Sequence, residues 1–282
     1  DLLVSMLSKD DILHRKAMYD SVEKKIHAFF EARGFLFVRT PLLVKSPGME
    51  PNLDPFKVEV KTQNPVSSLS AGLITSPEYS MKKLLGAGLE KIYTMTPVFR
   101  NGESLGGQHL PEFQMLEWYA SGDYEDLMQE TEDLLNSVLN EGNWPRISYN
   151  DAGMDDCGDP HVYAKRFFVT KYPVDQASLA RIEDEGQYAE RFEAFADGFE
   201  LCNGFCELTD AKVQRKRFDA EAEERKRLGK AIFPIDEELL SAIDAIDGPV
   251  YGNALGIDRL VMLAYGVSDI KDIQIFPYAF TK

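Results

Sequence analysis

A tight turn at Asp197-Gly198 constrains the fold of this chain more than any other feature of its sequence. The turn lies inside a strand-like segment, Arg191 to Glu207, and a two-residue Asp-Gly turn is typical of a β-hairpin. Lys91 to Arg100 and Glu112 to Tyr119 also have the pattern of neighbouring strands, and a glycine-rich loop, Asn101 to Leu110, separates them. Because hairpins join antiparallel strands, this order excludes a doubly wound parallel sheet and predicts an α+β fold, an antiparallel sheet flanked by helices.

The helices are predicted from apolar spacing and from residues typical of helix ends. The first should run from about Ser8 to Arg33, with Met18, Val22, Ile26, Phe29 and Phe30 on its apolar face. Others should begin at Ser76 (as N-cap), Asp123, Thr209 or Asp210, and after Gly256; the one from Thr209 or Asp210 should end near Gly229 with a solvated charged face. Residues 35–40 are predicted as a strand that ends at Pro41, and residues 1–282 as one domain in which 141–168 is a short surface excursion.

Composition narrows the class of protein. The 282 residues carry a net charge of −16, which argues against a broad nucleic-acid-binding surface but leaves room for a local basic groove. No apolar run approaches the roughly 18 residues of a membrane helix. The chain has three cysteines, Cys157, Cys202 and Cys206. Cys202 and Cys206 have no second cysteine pair or histidine nearby, so a zinc site or disulfide framework is not expected, and we expect all three to be buried thiols in a reducing cytoplasm.

Two carboxylates of the 191–207 hairpin form a candidate metal site. Regular pairing across the turn would place Glu193 opposite Cys202 and leave Glu193 and Glu200 on one face. Neighbouring carboxylates raise each other's pKa unless a cation lies between them. The pair is either part of a solvated sheet edge or a ligand set for Mg²⁺ that arrives with a nucleotide.

The strand from Glu112 to Tyr119 offers a second candidate site. Phe113, Met115, Glu117 and Tyr119 share one face, which suits either a half-buried strand or a pocket that stacks a flat ring and binds a cation. Arg100 ends the preceding strand and Arg259 opens the last helix. Both arginines are either members of surface ion pairs or phosphate ligands.

Together these segments resemble the catalytic core of class II aminoacyl-tRNA synthetases. The first helix with the strand that ends at Pro41, Val98-Phe99-Arg100 with His109–Phe113, and Gly256–Leu260 are similar to the three family motifs in order. The stretch Asn203–Asp210 is similar to lysyl-tRNA synthetase. A closer resemblance, over nearly the whole chain except about 141–168, is to the elongation factor P–lysine lysyltransferases; it includes Pro51–Phe56, Thr75–Tyr79, Met115–Tyr119, Gln176–Leu179 and Ala254–Leu260.

The resemblance implies roles for individual residues. Arg100 and Arg259 would be catalytic, and the ATP contacts would be Arg100, Glu103, His109, Phe113, Glu200, Gly256 and Arg259. The amino-acid pocket would comprise Ser76, Glu78, Glu117, Tyr119, Asn203, Phe205, Glu207 and Ala254, and Glu193 and Glu200 would hold Mg²⁺.

The resemblance also implies a ligase reaction. ATP would activate lysine or (R)-β-lysine as an adenylate, and the acyl group would pass to a lysine of elongation factor P. The expected protein is a cytoplasmic homodimer without an anticodon-binding domain and without tRNA or membrane as a partner. Two alternatives stay open at this point: an amino-acid ligase or synthetase core with another acceptor, and a non-catalytic paralogue, because a fold alone does not prove activity.

Overall fold

The computed structural model describes residues 7–140, 142–155, 158–162, 164–183 and 185–276. Cys157 lies outside them. Within these ranges the helices are α1 (Lys9–Ala32), α2 (Glu78–Gly86), α3 (Tyr124–Leu139), α4 (Tyr149–Ala152), α5 (Ala211–Arg227), α6 (Glu237–Asp244) and α7 (Ile257–Tyr265), with 3₁₀ turns at Val174–Gln176 and Ile270–Asp272. The strands are β1 (Leu36–Phe37), β2 (Leu43–Val44), β3 (Lys57–Gln63), β4 (Val66–Leu73), β5 (Lys91–Phe99), β6 (Glu112–Ser121), β7 (Arg146–Ser148), β8 (Arg166–Tyr172), β9 (Ala189–Ala196), β10 (Phe199–Cys206) and β11 (Val250–Gly256).

A large sheet organises the described part of the chain. Its eight strands lie in the order β1-β5-β6-β11-β10-β9-β8-β7. Pairing is antiparallel from β5 through β8 and parallel only at the two ends, β1 with β5 and β7 with β8. This arrangement confirms the predicted α+β class. A smaller antiparallel sheet, β2-β4-β3, was not predicted.

The two faces of the large sheet have different roles. Leu116, Trp118 and Ala120 of β6 point into the main core, which includes buried side chains of α1, α3 and α7. The alternate residues of β6, from Phe113 to Tyr119, line a cavity on the opposite face. Because side chains alternate along a strand, a single sequence both anchors the core and builds the cavity.

Helix α1 shows why the predicted helix ends hold. The Ser8 Oγ accepts a hydrogen bond from the Asp11 N–H at 3.1 Å, and the Asp11 carboxylate accepts one from the Ser8 N–H, forming a capping box. The five apolar residues predicted on its inner face are all buried. The predicted caps Asp123 and Asp210 are also confirmed. Helix α2 instead begins at Glu78 with Pro77 as N-cap, so the Ser76 prediction was wrong by one residue.

The predicted hairpin is present, but part of its register was wrong. Phe199 pairs with Ala196 and Glu200 with Phe195, as expected, whereas Cys202 pairs with Ala194 and Asn203 with Glu193. A β-bulge between Glu200 and Cys202 inserts the extra residue. The bulge turns Cys202 and Cys206 into the core, where both are buried free thiols, as predicted.

Three other expectations need correction. The strand at 35–40 is only Leu36–Phe37. The segment 141–168 is not merely a surface excursion, because Trp144 is buried and Arg146–Ser148 forms the edge strand β7. Helix α5 is not simply a solvated face, because its Arg225 is fully buried and donates to the carbonyls of Glu50 and Leu53. No helix in the described ranges is long and apolar enough to span a bilayer.

Candidate active site

A cavity of about 920 Å³ lies on the open face of the large sheet. Strands β6, β11, β10 and β9 form its floor, and α5 and the segment 50–53 contribute to its walls. All but one of the residues predicted from the sequence line it: Ser76, Glu78, Arg100, Glu103, His109, Phe113, Glu117, Tyr119, Glu193, Glu200, Asn203, Phe205, Ala254, Gly256 and Arg259. The exception is Glu207.

Glu117 forms a buried carboxylate centre at one end of the cavity. It accepts hydrogen bonds from the Ser76 hydroxyl and, at 2.9 Å, from the Tyr119 hydroxyl. Ser76 is held in turn by the Glu78 N–H, which donates to its Oγ at 3.0 Å. Burial raises the pKa of Glu117 to about 8, with Glu78 adding to the effect and the two hydroxyl hydrogen bonds opposing it. A cation entering this end would therefore meet a carboxyl group that lacks a charged partner.

Lys82 forms an internal ion-pair bridge behind that centre. Its Nζ lies 2.5 Å from Glu78 Oε1 and 2.5 Å from Glu207 Oε2, and its side chain is 1% exposed. The two carboxylates raise the pKa of Lys82 despite its burial. Glu207, predicted to line the pocket, lies one layer behind the cavity surface because it continues past the end of β10 and pairs with this lysine.

Gly252 forms the part of the wall that separates Glu207 from the cavity. A Cβ at this position would lie 2.3 Å from Tyr119 Cε1 and 2.5 Å from Glu207 Oε1. That oxygen is buried and has no hydrogen-bond partner among the described residues. Only glycine fits here, so the backbone of β11 leaves room for a free carboxylate oxygen beside the Tyr119 ring.

Arg100 and Phe113 define the opposite end of the cavity. The Arg100 guanidinium carbon lies 5.2 Å from the centre of the Phe113 ring, within cation–π range. Its Nε is buried without a hydrogen-bond partner in the described part of the chain, and burial lowers the pKa of the guanidinium. An unpaired buried donor beside an aromatic ring suits an anionic ligand that carries a flat ring.

The acidic pair of the hairpin lies on the cavity face despite the bulge. Burial, with Glu200 as the next cause, raises the pKa of Glu193 to about 7, while Arg191 opposes the shift. Arg191 Nη2 donates to Glu193 Oε1 at 2.6 Å, and Arg259 Nη1 donates to the Glu200 carbonyl at 2.7 Å. Glu193 and Glu200 are therefore neighbours in a site that also contains two arginines.

The start of α7 is fixed by a network that sets the position of Arg259. The adjacent Asp258 is buried and accepts hydrogen bonds from the Tyr19 hydroxyl, from the Gln114 N–H at 2.6 Å and from Gln274 Nε2 at 2.7 Å. These bonds join α1, β6 and the chain after α7. Arg259 thus projects from an anchored helix end.

The loop between β5 and β6 carries a histidine–carboxylate pair. His109 Nδ1 lies 3.0 Å from Glu103 Oε2, and this hydrogen bond lowers the pKa of Glu103. On the hairpin, Asn203 Oδ1 accepts a hydrogen bond from Arg191 Nε at 3.1 Å. The Lys82 Nζ lies 5.5 Å from the centre of the Phe205 ring. These contacts orient the predicted residues toward one cavity.

Glu193 and Glu200 form a two-carboxylate candidate for a metal site. Within the described ranges no group of three or more His, Cys, Asp or Glu residues is placed to hold a metal ion. Glu193 and Glu200 together match the needs of Mg²⁺, which usually takes one or two carboxylates and completes its shell with water and phosphate.

Several residues that line the cavity or lie directly behind it were not predicted from the sequence. Lys82 stands four residues after Glu78, the spacing of a helical ion pair, and Arg191 stands two residues before Glu193 on the same strand face. Both pairs could have been predicted from the sequence. Glu50 and Glu221 gave no comparable signal, because they come together only through tertiary packing.

Comparisons with known proteins show what this chain is similar to. A family model described as tRNA synthetases class II (D, K and N) matches residues 6–279. The chain is 37% identical to the elongation factor P--(R)-beta-lysine ligase of Proteus mirabilis, over 91% of this chain and 92% of the relative. It is 36% identical to the ligases of the same name from Yersinia enterocolitica (91% and 93% covered) and Avibacterium paragallinarum (89% and 91% covered).

Proposed function

The chain belongs to the class II tRNA synthetase family of the D, K and N type, and from this premise we propose that it is an elongation factor P–(R)-β-lysine ligase. It uses ATP to activate lysine or (R)-β-lysine as an acyl-adenylate and transfers the acyl group to a lysine side chain of elongation factor P. The names of its relatives support the reaction and the acceptor.

The observation that carries this proposal is the charge of the buried amino-acid end. Glu78, Glu117 and Glu207 supply three carboxylates, and Lys82 neutralises one charge. When all are ionised, two negative charges remain. A lysine-type substrate brings two ammonium groups, and buried cations require partners of opposite charge.

The nucleotide end supplies groups for the first half-reaction. Phe113 offers a stacking surface for adenine, and Arg100 has an unpaired buried donor for the α-phosphate and the substrate carboxylate. Arg259 serves the terminal phosphates. The substrate carboxylate attacks the α-phosphorus and pyrophosphate leaves, so the protein supplies positioning and charge neutralisation and no nucleophile.

Glu193 and Glu200 would hold Mg²⁺, because both line the cavity and lie close enough that, after burial, Glu200 is the next cause of the raised pKa of Glu193. A bound Mg²⁺ supplies neutralisation of phosphate charge. Arg191 holds the Glu193 carboxylate in position from the same strand.

The remaining parts of the proposal concern assembly and location. The enzyme works as a cytoplasmic homodimer through α1 and the strand that follows it, and a protein rather than tRNA accepts the acyl group. The family resemblance supports these points.

Two measurements test the proposal. Lysine or β-lysine, but not asparagine, should support ATP–pyrophosphate exchange, and purified elongation factor P should gain the mass of one lysyl group. Glu117→Gln should raise the KM for the amino acid on the order of tenfold or more, because it removes a buried charge partner. The control Glu125→Gln alters a surface carboxylate paired with Arg146 and should change nothing. Absence of exchange with every lysine isomer would refute the proposed function.

A further inference from the structure

Helix α5 forms a fixed wall of the cavity. Near its middle, Arg217 Nη1 donates to the carbonyls of Ser178 and Ala180 at 2.5 and 2.8 Å. Two turns later, the buried Arg225 donates to main-chain carbonyls of the segment 50–53 at 2.9 and 2.7 Å. The helix is thus tied to the structure at two points, and between these ties Ala220 and Glu221 line the cavity.

Glu221 lies between the two ties and lines the cavity. Among the described residues it has no hydrogen bond or ion pair, although it lies four residues from both arginines. Arg217 instead donates to main-chain carbonyls, and Arg225 donates to main-chain carbonyls and to the Asp54 carboxylate. Burial raises the pKa of Glu221 to about 8; Glu50 and Glu78 add to the shift, and Arg217 and Arg225 oppose it.

Glu50 is a second carboxylate in the same part of the cavity. It also lines the cavity, and its Oε2 is buried without a hydrogen-bond partner in the part of the chain that the structure describes. Burial, and then the nearby Glu78, raises the pKa of Glu50, while Arg100 lowers it. A Cβ at Gly48 would lie 2.8 Å from Glu50 Oε2 and 3.1 Å from the Thr75 hydroxyl, so Glu50 lies beside the residue that precedes Ser76 at the amino-acid end. Four residues after Glu50, Asp54 pairs with Asn101, the neighbour of Arg100 at the phosphate end. The segment that carries Glu50 thus connects the two ends between which the acyl carbon of an adenylate would lie.

The first half-reaction has no use for a free carboxylate at this place. The attacking substrate carboxylate is already ionised at neutral pH, so adenylation needs no base. The second half-reaction does need one, because a lysine side chain has an ordinary pKa of about 10.4 and its ammonium form cannot attack. An acid with a pKa near neutrality is suited to accept that proton.

We propose that Glu221, supported by Glu50, receives the ammonium group of the acceptor lysine and acts as the general base of acyl transfer; this inference rests on the proposed function. The ammonium nitrogen gives one proton to the Glu221 carboxylate, and its lone pair forms the C–N bond to the acyl carbon. The C–O bond to AMP breaks with its electron pair on the phosphate oxygen. The second proton of the nitrogen leaves to that phosphate or to solvent, which gives an amide and AMP.

The test separates the two half-reactions in Glu221→Gln. Pyrophosphate exchange should stay within about twofold of the unmodified enzyme, whereas single-turnover transfer to elongation factor P should slow on the order of a hundredfold near neutral pH. The matched control is Glu223→Gln on the same helix, whose carboxylate is 76% exposed and pairs with Lys226. Glu221→Asp, which keeps a carboxylate, should recover part of the transfer rate.

The pH profile distinguishes a base from a structural residue. Transfer by the unmodified enzyme should level off above about pH 8, the pKa of Glu221. Transfer by Glu221→Gln should keep rising toward the ordinary pKa of lysine, about 10.4, where the free amine needs no base.

The outcomes are separable. Equal transfer rates in Glu221→Gln and Glu223→Gln would overturn the inference. Normal pyrophosphate exchange in the same experiment would still support the proposed function. Parallel loss of exchange and transfer would also overturn it, because Glu221 would then serve the amino-acid pocket. Absence of exchange in the unmodified enzyme would instead refute the proposed function itself.

Discussion

Replacement of Lys82 by methionine tests whether the buried ion-pair bridge organises the amino-acid end of the cavity. The change keeps most of the side-chain length but removes the ammonium 2.5 Å from both Glu78 and Glu207. Removal of one partner from a buried ion pair typically costs about 3–5 kcal/mol. We expect a loss of that size in the free energy of unfolding, a large part of the ~5–15 kcal/mol that stabilises a typical domain.

The adjacent residue provides a matched control on the same helix. Lys83 also contacts two carboxylates, Asp236 at 2.7 Å and Glu238 at 3.1 Å, but its side chain is 30% exposed. Lys83→Met should therefore cost only about 0–1 kcal/mol, as surface pairs do. Urea unfolding measured side by side gives the comparison. Equal losses in the two variants would refute the claim that burial makes the Lys82 bridge different.

The pH dependence gives a second check with a definite sign. The folded-state pKa of Lys82 is raised, so its contribution is fully present below the ordinary lysine value of about 10.4 and is lost only above it. Lys82 itself should therefore keep its charge across neutral pH. Burial raises the pKa of Glu207 to about 8, although Lys82 opposes the shift, so the stability gap between Lys82→Met and the unmodified protein should narrow as the pH falls below about 8 and the Glu207 carboxylate loses its charge. A gap that widened in acid would contradict this account.

Three further predictions concern ligand binding and catalysis. Gly252→Ala should abolish amino-acid activation while ATP still binds, because the added Cβ would lie 2.3 Å from the Tyr119 ring and 2.5 Å from Glu207 Oε1. Calorimetry with lysine and with ATP measures the two affinities separately. An unchanged lysine affinity would contradict this prediction. Lysine affinity should rise with pH up to about 8, where Glu117 becomes ionised and pairs with an ammonium group; titrations that show no such rise would exclude this role. Arg259→Ala should lower pyrophosphate exchange on the order of a hundredfold with an unchanged circular dichroism spectrum, since it removes a phosphate ligand; normal exchange would rule that contact out.

Much of the fold follows from local patterns in the sequence. The Asp197-Gly198 turn predicts antiparallel pairing, and the apolar spacing of α1 together with its Ser8 cap predicts that helix within a residue at each end. The alternation along β6 predicts that Glu117 and Tyr119 share a face with Phe113. These inferences succeed because hairpin turns, caps and strand alternation depend on residues that are close in the chain.

The resemblance to a synthetase core extended these inferences to the site. Most of the residues expected from it line the same cavity. The Lys82 bridge could have been anticipated from its spacing to Glu78, but not its burial, because burial depends on how α2 packs against the end of β10.

The face of each hairpin residue was decided only by the tertiary structure. Regular pairing would have turned Cys202 toward the cavity and Asn203 and Phe205 toward the core, opposite to Glu193 and Glu200. The bulge after Glu200 reverses this order, so that acids, amide and aromatic ring share the cavity face and both cysteines are buried. A one-residue shift flips every side chain that follows, and the sequence around the turn does not specify where it occurs. The sequence thus determined which strands and chemical groups this protein has. Packing against α1, α3 and α7 on one face, and against α5 on the other, decided which of those groups meet.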